Sequence, residues 1–193
     1  ILINPYYYDA QNNLGNAYMS KGLTSEAIIN YKKAIKIKPT SKTYNNLGVA
    51  FKKLGNHLEA IQNYNNAISL DPKYAEAFYN QGIAYQKINK YKNAVDSYKE
   101  AILINPNYVD AHNNLGLVYK ELKKYEKAIE NFKIAISIKN NKAEAYNNLG
   151  LVYKDKGLYD SAIENYKIAI NINPNFYQAY NNYGVCLHNK RLF

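Results

Sequence analysis

The sequence predicts an all-α solenoid of antiparallel helix pairs, and three observations carry that reading. Gly15, Gly48, Gly82, Gly116, Gly150 and Gly184 recur at intervals of 33, 34, 34, 34 and 34 residues. Small and aromatic residues follow at fixed offsets: Ala27, Ala60, Ala94, Ala128 and Ala162, then an aromatic four residues on, then alanine three beyond that. Proline closes the units at Pro39, Pro72, Pro106 and Pro174, with Asn140 in the fourth. A fixed period of this length marks stacked supersecondary units, each of which buries its apolar face only against its neighbours.

With position one at residues 8, 41, 75, 109, 143 and 177, each element has a physical reason. The first helices are expected at 7–20, 41–53, 75–87, 109–121, 143–155 and 177–189. Glycine at position eight, with alanine at twenty and twenty-seven, lets two helix backbones approach closely. The aromatic at twenty-four (Tyr31, Tyr64, Tyr98, Phe132, Tyr166) fills the space they leave. Position fifteen ends the first helix in a left-handed conformation, which Gly22, Gly55 and Gly157 adopt at little cost and Asn89 tolerates. Lys123 breaks that pattern, so the fourth turn is expected to be strained or differently shaped. The second helices are expected at 24–37, 57–70, 91–104, 125–138 and 159–172. Proline at thirty-two stops them by pushing the preceding residue out of the helical region.

The pattern resembles the tetratricopeptide repeat (TPR) family across essentially the whole chain. It divides into one array: residues 1–7 as the tail of a preceding repeat, full repeats at 8–40, 41–74, 75–108, 109–142 and 143–176, and the first helix of a sixth at 177–193. Both ends look cut, as in a fragment of a longer array. The resemblance implies a right-handed superhelix whose first helices line a concave groove.

Composition narrows the function. Of 193 residues, 47% are apolar and 21% charged, with a net charge of +10. One cysteine, Cys186, excludes a disulfide framework. There is no apolar run long enough for a membrane span, no signal peptide and no Asn-x-Ser/Thr sequon, so a cytoplasmic or nuclear setting is expected and no membrane partner. Arg191 is the only arginine among 25 basic residues, and the lysines are spread along the chain, which argues against specific nucleic-acid recognition. The three histidines, His57, His112 and His188, lie in different repeats. No acid–base pair, activated nucleophile, phosphate loop or metal spacing is present, so neither catalysis, a cofactor nor a metal is expected of this segment. The 22 tyrosines invite a base-stacking reading. Eight of them instead share positions eleven and twenty-four, which belong to the inter-helix core.

The candidate peptide-binding residues are asparagines. Position six is asparagine in all six repeats: Asn13, Asn46, Asn80, Asn114, Asn148 and Asn182. Stacking aligns these into a ladder, and an amide can pair with both the N–H and C=O of a peptide unit. Rungs about 10 Å apart would meet an extended peptide every third residue or so. The structural alternative is that these amides only bridge neighbouring helices, and both readings stand at this stage. Asn12, Asn45, Asn113, Asn147 and Asn181 form a second line at position five, where Tyr79 replaces asparagine and is expected to face the groove. Lys42, Lys52, Lys53, Lys87, Lys120 and Lys154 flank the groove against Asp9, Glu76, Asp110, Glu121, Glu144 and Asp155. The groove is therefore close to neutral, and the excess charge lies on second helices and loops.

Three functions fit. The first is a non-catalytic scaffold that binds a protein or peptide ligand in the concave groove. The second comes from the unbroken position-six asparagines, which resemble the TPR arrays of O-linked GlcNAc transferases and SPINDLY-type O-fucosyltransferases. That resemblance implies a substrate-recruiting arm whose catalytic domain lies outside this chain. The third is a structural spacer. End-to-end self-association is also expected, because Ile1–Ile3 and the apolar side of the last helix (Tyr180, Tyr183, Leu187) are complementary repeat surfaces.

Overall fold

The helices begin and end where the repeat places its turn residues. The computed structural model describes residues 7–191, which form eleven α-helices and no strand. Two compact units are distinguished, Ile1–Ile104 and Asn105–Phe193. The first holds α1 (Tyr7–Ser20), α2 (Thr24–Ile37), α3 (Ser41–Lys53), α4 (His57–Leu70), α5 (Ala75–Lys87) and α6 (Tyr91–Ile104). The second holds α7 (Val109–Glu121), α8 (Tyr125–Ile138), α9 (Ala143–Asp155), α10 (Tyr159–Ile172) and α11 (Tyr177–Arg191). These are the expected bounds, except that α11 runs two residues further. Within each unit every helix packs on its chain neighbour, and successive first helices also touch.

The turn inside each pair closes by the same two backbone bonds. In the first, Gly22 N–H donates to Met19 C=O at 3.1 Å and Leu23 N–H to Tyr18 C=O at 2.9 Å. This Schellman arrangement needs a left-handed residue. Gly22, Gly55 and Gly157 supply it at φ 79°, 81° and 75°, Asn89 at 58° and Lys123 at 56°. The fourth turn is thus not reshaped, for Lys123 N–H and Lys124 N–H make the same bonds, each at 2.8 Å. The lysine is forced into the glycine conformation. At the far end of the second helices Lys38, Asp71 and Asn173 are extended, each before a proline. Lys139 is extended too, before Asn140, so α8 stops at Ile138 without a proline.

Packing centres on position twenty-four. Tyr31, Tyr64, Tyr98, Phe132 and Tyr166 are almost completely buried among alanines at positions twenty and twenty-seven. A Cβ on Gly82 would lie 2.6 Å from Tyr98 Cε1, and glycines 15, 48, 116 and 150 meet their own ring at 2.5–2.8 Å. Position eight is glycine because the ring occupies the room of its side chain. Gly184 meets nothing within 4 Å, since no position-twenty-four aromatic follows it in the chain. Position eleven is less buried than expected: Tyr119 is buried, whereas Tyr18, Tyr85 and Tyr153 are half-buried and pack on the margin of the core.

Candidate functional site

Position six lies on the first helices, one residue, or about 100°, around from position five. That offset turns the two asparagine lines in different directions. Asn12, Asn45, Asn113 and Asn147 are buried, and only Asn181 is exposed. The expectation of a second groove-facing line therefore fails for those four, because adjacent first helices close over them. At position six Asn13 is exposed, Asn46, Asn114, Asn148 and Asn182 are half-buried, and Asn80 is buried.

The two lines are joined across repeats. Asn46 Nδ2 donates to Asn12 Oδ1 and Asn80 Nδ2 to Asn45 Oδ1, both at 3.2 Å. In the second unit Asn148 Nδ2 donates to Asn113 Oδ1 at 3.1 Å and Asn182 Nδ2 to Asn147 Oδ1 at 2.9 Å. Each of these four position-six amides is therefore clamped to the preceding repeat through its nitrogen. Among the described residues the Oδ1 atoms of Asn148 and Asn182 accept no hydrogen bond, so they remain acceptors on the surface of the first helices. Asn46 is more committed, since its Nδ2 also donates to Asn16 Oδ1 at 3.2 Å.

Tyr79 takes the place of a buried asparagine and is half-buried, with its ring centroid 6.0 Å from that of Tyr98. Of the histidines, His112 is buried, with Nε2 3.0 Å from Pro106 O and Nδ1 3.3 Å from Asn131 Oδ1. His57 is half-buried and His188 exposed. Among the described residues no group of three His, Cys, Asp or Glu side chains could hold a metal, and no helix is long and apolar enough to cross a membrane.

Two polar clusters have no counterpart in the sequence reading. Asn45, 1% exposed, donates to the Tyr74 hydroxyl at 3.3 Å and to Glu76 Oε1 at 3.2 Å, while Lys52 Nζ donates to Asn80 Oδ1 at 2.9 Å. Burial and Glu76 push Tyr74 up from its ordinary value to about 12. Burial pulls the Lys52 ammonium below its ordinary value, partly offset by Glu76. The second cluster joins α4, α5 and α6, with Gln81 and Ser97 buried and Asn65 exposed. Gln81, at the position held by Leu47, Leu115 and Leu149, donates to Asn65 Oδ1 at 2.6 Å and accepts from Ser97 Oγ at 2.8 Å. The one legible signal was the polar residue at an otherwise apolar repeat position.

Comparison with known proteins agrees with this architecture. A family model described as TPR repeat matches residues 15–55, 50–89, 87–123 and 119–157, and one described as Tetratricopeptide repeat matches 143–176. A crystal structure of MamA is 36% identical with a TM-score of 0.77, over 82% of this chain and 93% of that one. YrrB, described as a TPR protein with an unusual peptide-binding site, has a TM-score of 0.74 at 22% identity, over 89% of each chain. A thermophilic TPR protein from Thermus thermophilus has a TM-score of 0.73 at 23% identity, over 93% of this chain and 98% of that one. No curated protein sequence matches.

Proposed function

The chain belongs to the tetratricopeptide repeat family, and on that premise we propose that it is a non-catalytic scaffold whose first-helix faces bind extended peptide segments. The observation that carries the reading is the clamped asparagine. Asn148 and Asn182 are each fixed through Nδ2, and among the described residues their Oδ1 atoms accept no hydrogen bond and are not buried. A fixed acceptor loses little freedom on binding, which favours affinity for any segment that offers backbone N–H groups. Such recognition reads main chain and places few demands on side chains. YrrB, of the same fold, is described with a peptide-binding site, which supports the reading as a use this fold allows.

The test uses peptides selected from a random library on the immobilised protein. Each is compared by calorimetry with a form N-methylated at alternate residues. Methylation removes donors while leaving side chains in place, and binding should fall roughly tenfold or more. Equal affinity for both forms would overturn the reading.

Self-association is the second part of the proposal, supported by α11, where Tyr177 is 78% and Tyr180 48% exposed. Tyr183 and Leu187 are half-buried, and Ile1–Ile3 lie outside the described residues. Sedimentation should show mass rising with concentration, and a constant monomer would contradict it. The role of a glycosyltransferase arm rests on the six asparagines alone, and none of the structures named above is described as a glycosyltransferase.

A further inference from the structure

The outer face of α2 is charged unlike those of the other second helices. At positions twenty-two, twenty-five, twenty-six and twenty-nine, α6 carries Asp96, Lys99, Glu100 and Leu103. There α8 carries Glu130, Lys133, Ile134 and Ser137, and α10 carries Glu164, Lys167, Ile168 and Asn171. All three set an acid three residues before a lysine, a spacing at which charges compensate along a helix. In α2 the same positions hold Ile29, Lys32, Lys33 and Lys36, so the acid is gone and the single lysine has become three. These four side chains lie within about 100° of helix surface. α2 packs on α1 and α3 and leaves all four exposed, Ile29 at 53%.

Nothing nearby quenches the charge. Among the described residues every ion pair falls in the second unit, so no lysine of α2 lies within 4 Å of a carboxylate. Glu26 is the one acid of α2, and the residues three and four beyond it are Ile29 and Asn30. The corresponding stripe of α4, Gln62, Asn65, Asn66 and Ser69, is neutral. Lys32 Nζ lies 5.6 Å over the Phe51 ring, and Lys38, just past the helix, adds a cation 4.9 Å over Tyr8.

Ammonium groups around an exposed aliphatic side chain narrow the kind of partner. Protein interfaces are depleted of lysine and enriched in arginine and aromatic residues. Nucleic-acid faces use arginine forks or stacking rings. The stripe has neither arginine nor an aromatic. A fluid layer of anionic headgroups accepts compact point charges without fixed geometry, and the acyl boundary beneath it accommodates Ile29.

We infer that the α2 stripe of Ile29, Lys32, Lys33 and Lys36 docks this chain on an anionic lipid surface. The helix lies on the bilayer and does not cross it. The expectation of no membrane partner rested on the lack of a spanning segment and a signal peptide, which surface docking does not require. The stripe is on a second helix, so it stands or falls separately from the peptide-binding reading of the first helices.

The test is co-sedimentation of the full chain with vesicles of equimolar phosphatidylcholine and phosphatidylserine, against vesicles of phosphatidylcholine alone. The chain should bind the mixed vesicles, ignore the neutral ones and be released as salt screens the lysines. Lys32→Gln, Lys33→Gln and Lys36→Gln together should weaken partition roughly tenfold or more. Lys99→Gln, Lys133→Gln and Lys167→Gln together remove the same charge from other second helices and should weaken it less than about threefold. The chain has no tryptophan, so Ile29→Trp gives a single reporter whose emission should shift to the blue on mixed vesicles alone. Circular dichroism checks that each variant keeps its fold. Equal losses in the two triple variants would reduce the effect to net charge and overturn the stripe. Absence of binding to mixed vesicles, or a reporter that stays in water while the chain binds, would overturn it too. A DNA duplex or polyglutamate that binds more tightly than the vesicles at the same salt, and does so through the three α2 lysines, would contradict the lipid assignment.

Discussion

The Tyr64 and Tyr166 hydroxyls are buried without a hydrogen-bond partner among the described residues, whereas the Tyr31 hydroxyl donates to Asn16 Oδ1 at 2.8 Å. An unpaired buried hydroxyl costs about 1–3 kcal/mol. Tyr64→Phe and Tyr166→Phe should therefore leave stability equal or higher in chemical denaturation, as Phe132 does natively at that position. Tyr31→Phe should lose about 1 kcal/mol. The same burial sets an alkaline limit. Tyr31 is pushed from 10.0 to about 12, and Tyr64 and Tyr166 are pushed higher. A phenol whose folded value is raised contributes its full stability below pH 10 and loses it as pH rises toward the folded value. Unfolding midpoints should be flat to about pH 10 and then fall, with tyrosinate absorbance from these three rings rising only as the chain unfolds. At Lys123, φ 56° costs a non-glycine residue roughly 1 kcal/mol, so Lys123→Gly should raise stability by about that amount in the same assay.

Among the elements, the first helices differ in what position eight meets. Gly82→Ala puts a methyl 2.6 Å from Tyr98 Cε1, an overpacking cost of roughly 1–3 kcal/mol that outweighs the gain in helix propensity. Gly184→Ala meets nothing and should gain up to about 1 kcal/mol. Thermal midpoints moving in opposite directions would verify this, and two equal gains would show that the ring does not hold position eight. Helix bounds were legible because each boundary is written locally: a left-handed residue closes the first helix, and an extended residue closes the second. The fate of the asparagines was not. Residues five and six are adjacent in sequence, and only the fit of the next helix decides that Asn45 is enclosed while Asn148 keeps an unbonded oxygen.

Over the whole chain, the net charge of +10 does not come from the groove-flanking residues, whose lysines and acids balance in number. The balance hides a local asymmetry, with ion-paired lysines in the second unit and Lys52 without a carboxylate partner in the first, which counting alone does not reveal. What remains central is whether the asparagine rows serve only the fold or also a ligand. Two double variants separate these roles in the second unit. Asn113→Ala with Asn147→Ala, and Asn148→Ala with Asn182→Ala, each delete the same two inter-repeat hydrogen bonds. Each pair should lose stability by about 1 kcal/mol per bond. Only the second pair removes the unbonded acceptors. Calorimetry with a library-selected extended peptide should show affinity roughly tenfold weaker for the position-six pair and within about threefold of the parent for the position-five pair. The same affinity in both variants would show that the asparagines hold repeats together and do not read a peptide.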